Sequence, residues 1–294
     1  MNMPKTRAEQ FQSLFPAEPR FRWEQIMRAF FQAQITDWTG ITTLSKTMRE
    51  QIQGIPFVSY TEAKLLSSKS GDTFKAVLTL TDGEKIETVL MANARGQWTI
   101  CVSSQVGCAQ RCGFCATGRM GLKRNLTADE IVDQYRFWNY FIAENKPKHT
   151  EAEPNVPARI SNVVFMGMGE PLANYDAVKD TMNQWLKFTD IGRTHITVST
   201  VGMLPMLDKL LEDKEWPHVR LAVSVHSAEP STRKEIVPTS YDGFLEKLQD
   251  WGKRYLAKFG NNKHHLTFEY VMLREINDTA HHAQALYKFV NKVG

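Results

Sequence analysis

Apolar and polar residues follow different patterns in successive parts of this 294-residue chain. Over residues 1–55 the apolar residues recur every three or four positions, as in Phe21 to Gln32 and Ile41 to Ile52, which predicts a small helical module. Over residues 56–97 the pattern changes, and two strand-like runs flank Asp82-Gly83. Because this dipeptide is typical of tight hairpin turns, the segment is predicted to form a β-hairpin linker.

From residue 98 to residue 294, short apolar strands alternate with amphipathic helices, which predicts a core of the α/β class. The predicted strands are 98–101, 162–166, 195–200, 220–226 and 266–273, and the predicted helices are 128–143, 175–188, 203–213, 243–258 and 279–291. Such alternation is typical of a parallel sheet covered by helices. Five strands fit a partial (βα) barrel rather than a closed eight-stranded one. The polar segment 145–158 is predicted to be a surface loop.

The composition is that of an ordinary globular protein, with 42% hydrophobic and 23% charged residues. The chain has no run of 18 apolar residues that could cross a membrane, and its first residues lack the apolar core of a signal peptide. We therefore expect a cytoplasmic protein without a membrane partner. The formal net charge of +4 is compatible with an RNA partner but does not decide the question.

All four cysteines lie between residues 101 and 115, whereas a disulfide framework would spread them along the chain. Cys108, Cys112 and Cys115 form a CxxxCxxC loop whose thiolates suit an iron–sulfur cluster or zinc. Three ligands on a four-iron cluster leave one iron open for a cofactor or substrate, so the spacing favours a catalytic cluster. The alternative is a structural zinc site, which needs a fourth ligand such as Cys101 or a distant histidine.

Several longer stretches together resemble the RlmN/Cfr family of radical S-adenosylmethionine (SAM) RNA methyltransferases over nearly the whole chain. They are Cys101 to Gly118 (CVSSQVGCAQRCGFCATG), Asn162 to Leu172 (NVVFMGMGEPL), Ile196 to Gly202 (ITVSTVG), Leu221 to Ser227 (LAVSVHS), Glu235 to Pro238 (EIVP) and Phe268 to Leu273 (FEYVML). A dinucleotide-binding reading of Gly167-Met-Gly169 fails, because position 172 is leucine where the fingerprint needs glycine.

The resemblance implies two cofactors, a [4Fe–4S] cluster and SAM. Cys108, Cys112 and Cys115 would hold the cluster. The implied SAM contacts are Gly169, Glu170, Ser199, Ser224, Val225 and His226. Cys101 would be the catalytic thiolate that resolves a covalent protein–RNA intermediate, and Glu87 would be the general base.

The implied reaction places a methyl group on C2 of adenosine in 23S rRNA and tRNA. One SAM methylates a second cysteine near the C-terminus, and cleavage of another SAM generates the radical that activates this methyl group for addition to adenine. A flavodoxin-type protein would supply the electron, and the enzyme would be a monomer. The alternatives are methylation of C8, as in the Cfr branch, or a non-catalytic iron–sulfur or RNA-binding protein.

The sequence departs from the family pattern beyond the fifth predicted strand. No cysteine follows Cys115, so the methyl-carrying cysteine is missing, and a sixth strand is not apparent before Gly294. We expect the chain to be a fragment, or else a natural short form, and to be inactive in RNA methylation by itself. Two groups of basic residues are candidates for phosphate contacts: Arg119, Lys123 and Arg124 after the cysteine loop, and Arg20, Arg22 and Arg28 in the helical module.

Overall fold

The structure, a computed structural model, describes residues 4–93, 95–145, 159–260 and 266–294. The strands are β1 (Tyr60–Ser67), β2 (Thr73–Leu80), β3 (Lys85–Ala92), β4 (Trp98–Cys101), β5 (Gln105–Gly107), β6 (Leu122–Asn125), β7 (Ile160–Phe165), β8 (Ile196–Thr200), β9 (Arg220–Ser224) and β10 (Leu266–Glu269). The helices are α1 (Arg7–Leu14), α2 (Arg20–Phe30), α3 (Lys46–Gln51), α4 (Ala116–Met120), α5 (Ala128–Asn145), α6 (Tyr175–Phe188), α7 (Leu204–Glu212), α8 (Pro230–Ile236), α9 (Phe244–Phe259) and α10 (Ala280–Asn291). Apart from Asn145, the predicted surface loop 145–158 lies outside the described residues.

Eight strands form one sheet in the order β1-β2-β3-β4-β7-β8-β9-β10. The last five of these run parallel to their neighbours, and helices lie between them in the chain. The predicted α/β class with five parallel strands is therefore confirmed. Each parallel connection needs a crossover, and the amphipathic helices α5, α6, α7 and α9 provide it. Their large apolar residues, among them Trp138, Trp185 and Trp251, are fully buried in the core beside the sheet.

The antiparallel half of the sheet is larger than the sequence predicts. The two predicted hairpin strands correspond to β2 and β3, and β3 pairs with β4, which joins the hairpin to the parallel strands. A further strand, β1, pairs with β2 at the edge of the sheet. Most of β1 is exposed, so its sequence shows no alternation of buried and exposed residues. The pattern from which strands are predicted is absent there.

The N-terminal helices have a core of their own, built from Phe11, Ile26, Phe30, Trp38 and Ile52 among others. A buried charge cluster joins them to α5. The guanidinium of Arg7 contacts Asp133 at 2.8 Å, and Arg136 contacts the same carboxylate at 2.6 Å. Burial by itself would raise the pKa of Asp133, but the two arginines outweigh it and lower that pKa. None of the helices that the structure describes is long and apolar enough to cross a membrane.

Some short elements were not predicted or differ in extent. The helix predicted over 41–52 is only α3, with single 3₁₀ turns before and after it. The strand predicted over 266–273 ends at Glu269, and the strand predicted over 220–226 ends at Ser224. Besides β1, the elements that the sequence did not predict are β5, β6, α4 and α8. These four elements lie around the cysteine loop, so they matter for the site.

Candidate active site

Strand register places three of the predicted site residues, Cys101, Ser199 and Ser224, on one face of the parallel strands. Cys101 is level with Val164 on β7, and Ser224 on β9 is level with Glu269 on β10. Since successive side chains alternate between the two faces of a sheet, the register can be followed across all five parallel strands. The residues on this face, from β4 to β10, are Thr99, Cys101, Asn162, Val164, Thr197, Ser199, Arg220, Ala222, Ser224, Thr267 and Glu269. The opposite face carries the apolar residues that pack against the helices.

The cysteine loop runs from the end of β5 to the start of β6, and the pairing of these two strands closes its base. The N–H of Cys108 donates to the carbonyl of Gly121 at 3.0 Å. A Cβ at Gly107 would lie 1.8 Å from that carbonyl oxygen, so the two chain segments can approach this closely only with glycine there. The loop therefore has a fixed base, with Cys108 beside it.

The three loop thiols lie close enough to influence each other electrostatically. Burial and the nearby Cys108 and Cys115 raise the pKa of Cys112 to about 11. Burial also raises the pKa of Cys108, with further contributions from Glu170 and Cys115. Cys108 and Cys112 are buried and Cys115 is half-buried. Helix α4 begins directly after Cys115.

The chemistry of the donor set fits an iron–sulfur cluster. Thiolates are the ligands that such clusters use, and three of them occur here within eight residues. Among the described residues, no three His, Cys, Asp or Glu side chains are grouped as they would be around one bound ion. Cys101 lies on β4, and its thiol accepts a hydrogen bond from the N–H of Met166.

Glu170 follows β7 and is almost completely buried. Its carboxylate accepts hydrogen bonds from the N–H of Leu172 at 3.0 Å and from the N–H of Val201 at 2.8 Å. Burial raises its pKa, although these hydrogen bonds act in the opposite direction. Gly169 has φ = +101°, and a Cβ there would lie 2.5 Å from the side chain of Gln105. The Gly169-Glu170 pair thus brings the carboxylate between the ends of β7 and β8, near Cys108.

Ser199 and Ser224 lie on neighbouring strands and donate to the same carboxylate oxygen of Glu269, at 2.7 and 3.3 Å. The sequence indicated the two serines but not Glu269, although Glu269 lies in one of the stretches that carry the family resemblance. An acidic residue at the end of an otherwise apolar strand is the signal that could have found it. The three side chains form a polar group at the carboxyl ends of β8, β9 and β10, where barrel enzymes place their sites.

His226 lies between this polar group and the cysteine loop. Its ring packs edge to face on Phe114, with 4.8 Å between the ring centroids. The Nδ1 atom accepts a hydrogen bond from the N–H of Val271 at 3.2 Å, so Nε2 carries the proton. Burial and the nearby Arg233 lower the pKa of His226 to about 4, which keeps the ring neutral. Val225 is fully buried, and its N–H donates to the carbonyl of Glu269.

Cys101 and Glu87 lie on the same face of the sheet, because Val89, two residues after Glu87, is level with Cys101. Burial raises the pKa of the Cys101 thiol to about 11. Glu87 is half-exposed, and its carboxylate forms an ion pair with Lys75 at 2.6 Å. The structure therefore brings the two predicted catalytic residues to neighbouring strands, with Glu87 engaged by a lysine.

Two of the basic residues after the cysteine loop are paired with carboxylates. Lys123 contacts Glu84 at 2.7 Å, and Arg124 contacts both Asp82 at 2.7 Å and Glu130 at 2.8 Å. These pairs tie the loop region to the hairpin turn of β2 and β3. In the helical module, Arg22 pairs with Glu18, Arg28 lies over the ring of Phe188, and Arg20 is exposed.

Comparison with known proteins identifies the family. No family model matches the chain. It is 37% identical over 278 residues to the "Probable dual-specificity RNA methyltransferase RlmN" of Dictyoglomus turgidum, covering 93% of this chain and 74% of that protein. It is also 37% identical over 281 residues to the protein of the same name from Chlorobium phaeobacteroides, covering 92% of this chain and 73% of that protein.

A solved structure agrees with these relatives. A radical SAM methyltransferase from Sphaerobacter thermophilus superposes with a TM-score of 0.83 at 33% identity, and the match covers 98% of this chain and 82% of that one. The likeness extends over the N-terminal helices and the sheet together, and it includes the region of the cysteine loop. The chain belongs to the RlmN family of radical SAM RNA methyltransferases.

Proposed function

We propose that this chain forms the catalytic core of an enzyme that methylates C2 of adenosine in 23S rRNA and tRNA, receiving its electron from a flavodoxin-type donor. The observation that carries this proposal is the shared sheet face. Cys101, Ser199, Ser224 and Glu269 lie on it, and the cysteine loop follows directly after β4 and β5. A cofactor held by the serines would thus share this sheet face with Cys101. The family itself implies SAM and a [4Fe–4S] cluster.

In this proposal Cys108, Cys112 and Cys115 hold the cluster, which when bound supplies the electron that cleaves SAM. Gly169 and Glu170 bind the amino end of SAM, and Ser199, Ser224, Val225 and His226 contact the rest. We add Glu269 to this set. Carboxylates commonly bind the hydroxyl groups of a ribose. The two serines donate to one oxygen of the Glu269 carboxylate, so this carboxylate can accept further hydrogen bonds. The neutral His226 offers an N–H donor at Nε2.

Cys101 is proposed to resolve the protein–RNA adduct as a thiolate, and Glu87 to remove the proton from the modified carbon. Because burial keeps Cys101 protonated near neutral pH, its proton must leave when the RNA is in place. Glu87 must release Lys75 before it can act as a base, since its carboxylate is engaged there. Both proposed steps would take place on the face of β3 and β4 that carries Glu87 and Cys101.

We further propose three functional segments: an RNA-binding helical module over residues 1–55, a linker over 56–97 and the radical SAM core over 98–294. In the module the exposed Arg20 is the candidate for a phosphate contact, as Arg22 is paired with Glu18. Because Lys123 and Arg124 are paired with carboxylates, contact with RNA there requires the carboxylates to be displaced.

The test begins with anaerobic reconstitution and analysis of iron, sulfide and zinc. We expect iron and sulfide in wild-type protein and loss of both in Cys112→Ser, with Ser231→Ala on the exposed start of α8 as the control. Reduced protein is then incubated with SAM, and 5′-deoxyadenosine is quantified. Zinc without iron, or no cleavage of SAM, would contradict the proposal.

Regiochemistry is decided by mass spectrometry of nucleosides from treated RNA. 2-Methyladenosine supports the C2 assignment, and 8-methyladenosine would replace it with the Cfr-type reaction. The experiment needs a form of the protein that carries the methyl-bearing cysteine of the proposed mechanism. The four cysteines of these 294 residues are Cys101 and the three of the loop, and the chain spans about three quarters of the length of its named relatives.

A further inference from the structure

Arg233 is a buried cation without a carboxylate partner among the described residues. Its side chain is on α8, and the residue is 1% exposed. One Nη atom donates to the carbonyls of Val201 at 2.8 Å and Ser224 at 3.2 Å, and the guanidinium lies 4.0 Å from the ring centroid of Phe244. Its Nε atom is buried with no hydrogen-bond partner in the described part of the chain.

Among the described residues, the two other arginines buried to a similar degree have carboxylate partners. Arg7 contacts Asp129 and Asp133, and Arg136 contacts Asp133. Removing a guanidinium from water without a counter-charge destabilises a protein by several kcal/mol in general. A buried arginine without a carboxylate partner therefore indicates that another anion binds beside it. At Arg233, no side-chain carboxylate of the described residues supplies this counter-charge.

The surroundings of Arg233 point to the cysteine loop. The carbonyl of Ile236, one turn farther along α8, accepts a hydrogen bond from the N–H of Gly113 at 2.9 Å. Cys112 packs against Ile236 and Val237. The helix that carries the unpaired cation is thus fixed directly to the loop.

We propose that Arg233 is the buried counter-charge of the iron–sulfur cluster, which makes the cluster easier to reduce. This inference rests on the proposed cluster at Cys108, Cys112 and Cys115. A cluster with three thiolate ligands is negatively charged and becomes more so when it accepts an electron. In a site of low dielectric, a nearby fixed positive charge favours the more negative state. Local charge is one of the main factors that set the reduction potential of such clusters.

The test is a redox titration of the reconstituted protein without SAM, in which the reduced cluster is followed by electron paramagnetic resonance. Arg233→Gln removes the charge and keeps a hydrogen-bond donor, and Arg233→Lys keeps the charge. The matched control is Arg254→Gln, since Arg254 is an exposed arginine on α9 that pairs with Asp208. At the wild-type midpoint potential, we expect Arg233→Gln to show a reduced-to-oxidised ratio about tenfold lower, a shift of about 59 mV to more negative potential. Arg233→Lys and Arg254→Gln should remain close to wild type.

The outcomes separate this inference from the function on which it rests. If wild-type protein binds no iron and sulfide, the proposed function fails. If it binds a cluster but Arg233→Gln has the wild-type potential, only the role of Arg233 is overturned. Weaker binding of SAM by this variant, with an unchanged potential, would overturn that role as well. Should Arg233→Gln hold no cluster, melting of the cluster-free proteins decides. An unchanged melting temperature supports the counter-charge, and a collapsed fold assigns Arg233 a structural role.

Discussion

The Cys101 thiol is nearly as buried as the apolar side chains around it, and this burial raises its pKa to about 11. We predict that Cys101 reacts slowly with iodoacetamide at pH 8, because only the thiolate is nucleophilic. Relative to a thiol with the reference pKa of 9.0, the thiolate fraction should be about 100-fold lower. The rate is measured by mass spectrometry in a variant with serine at Cys108, Cys112 and Cys115, and it should rise about tenfold per pH unit from pH 8 to pH 10.

The control is the same variant unfolded in urea, in which Cys101 should react like a free cysteine. Folded protein that reacts at that rate at pH 8 would contradict the prediction. Such a result would mean that the thiolate already exists without RNA, and that no proton needs to be removed from Cys101 before it attacks the adduct.

Glu269 accepts hydrogen bonds from both predicted SAM-binding serines, so we expect Glu269→Gln to weaken the binding of SAM. An amide can no longer receive every hydroxyl hydrogen bond that the carboxylate receives, and hydrogen bonds to a charged group contribute more than neutral ones. The dissociation constant, measured by equilibrium dialysis with the reconstituted protein, should rise roughly tenfold. Glu246→Gln, on the exposed side of α9, is the control. An unchanged constant in Glu269→Gln would remove this residue from the SAM site.

At the scale of elements, the buried carboxylate of Asp133 is one of the contacts that attach the N-terminal helices to α5, beside hydrogen bonds such as that from the Asn139 amide to the carbonyl of Phe31. Arg7→Met removes a cation from Asp133 and leaves Arg136 as its remaining ion-pair partner. We expect a loss of about 3 kcal/mol, the lower end of the range for breaking a buried ion pair. Hydrogen exchange should become faster in α1, α2 and α3 before it does in the sheet, because the contact joins these helices to the core.

Lys46→Met is the matched control for Arg7→Met, since Lys46 forms an exposed pair with Glu50 within α3. It should leave both stability and exchange unchanged. If Arg7→Met behaves in the same way, the apolar contacts of the helices rather than the charge cluster attach them to the core.

Elements with a clear hydrophobic period were predictable, and those fixed by distant contacts were not. The parallel strands and the long helices α5, α6 and α9 follow from local alternation. The short elements β5, β6, α4 and α8 surround the cysteine loop, and their conformations depend on contacts such as that between Gly113 and Ile236. No local pattern encodes such a contact.

The same distinction applies to the site. The spacing of Cys108, Cys112 and Cys115 is visible in the sequence, because the ligands of the loop are close along the chain. The pairing of Ser199 and Ser224 with Glu269 joins three strands, so it appears only when the register is known. Arg233 was missed for a similar reason. Arg233 differs from the other arginines because it is buried without a carboxylate partner among the described residues. The burial of a single side chain cannot be predicted from the sequence.

For the whole molecule, the arrangement separates the proposed cluster and SAM site from the proposed catalytic residues Cys101 and Glu87. The cysteine loop, the serines and Glu269 surround one end of the parallel strands. Cys101 lies on the same sheet face, on the side toward β3 and its Glu87. The substrate is thus expected to approach across β3 and β4, while SAM occupies the ends of β8, β9 and β10.

This separation predicts that the 294-residue chain cleaves SAM without methylating RNA. Cleavage requires the loop and the proposed SAM contacts named above, which lie within these residues. The proposed transfer also requires two cysteines outside the cluster. The chain has four cysteines, three of which are the proposed cluster ligands, so Cys101 alone remains. Reduced protein with SAM and RNA should therefore release methionine and 5′-deoxyadenosine, whose 5′ carbon takes its hydrogen atom from buffer or reductant in place of the methyl group, but no methyladenosine, as measured by mass spectrometry. Cys101→Ala should cleave SAM at the wild-type rate, since Cys101 acts only after transfer. Methyladenosine formed by the chain itself would show that the methyl group reaches adenosine without a second cysteine, and the adduct mechanism would have to be replaced.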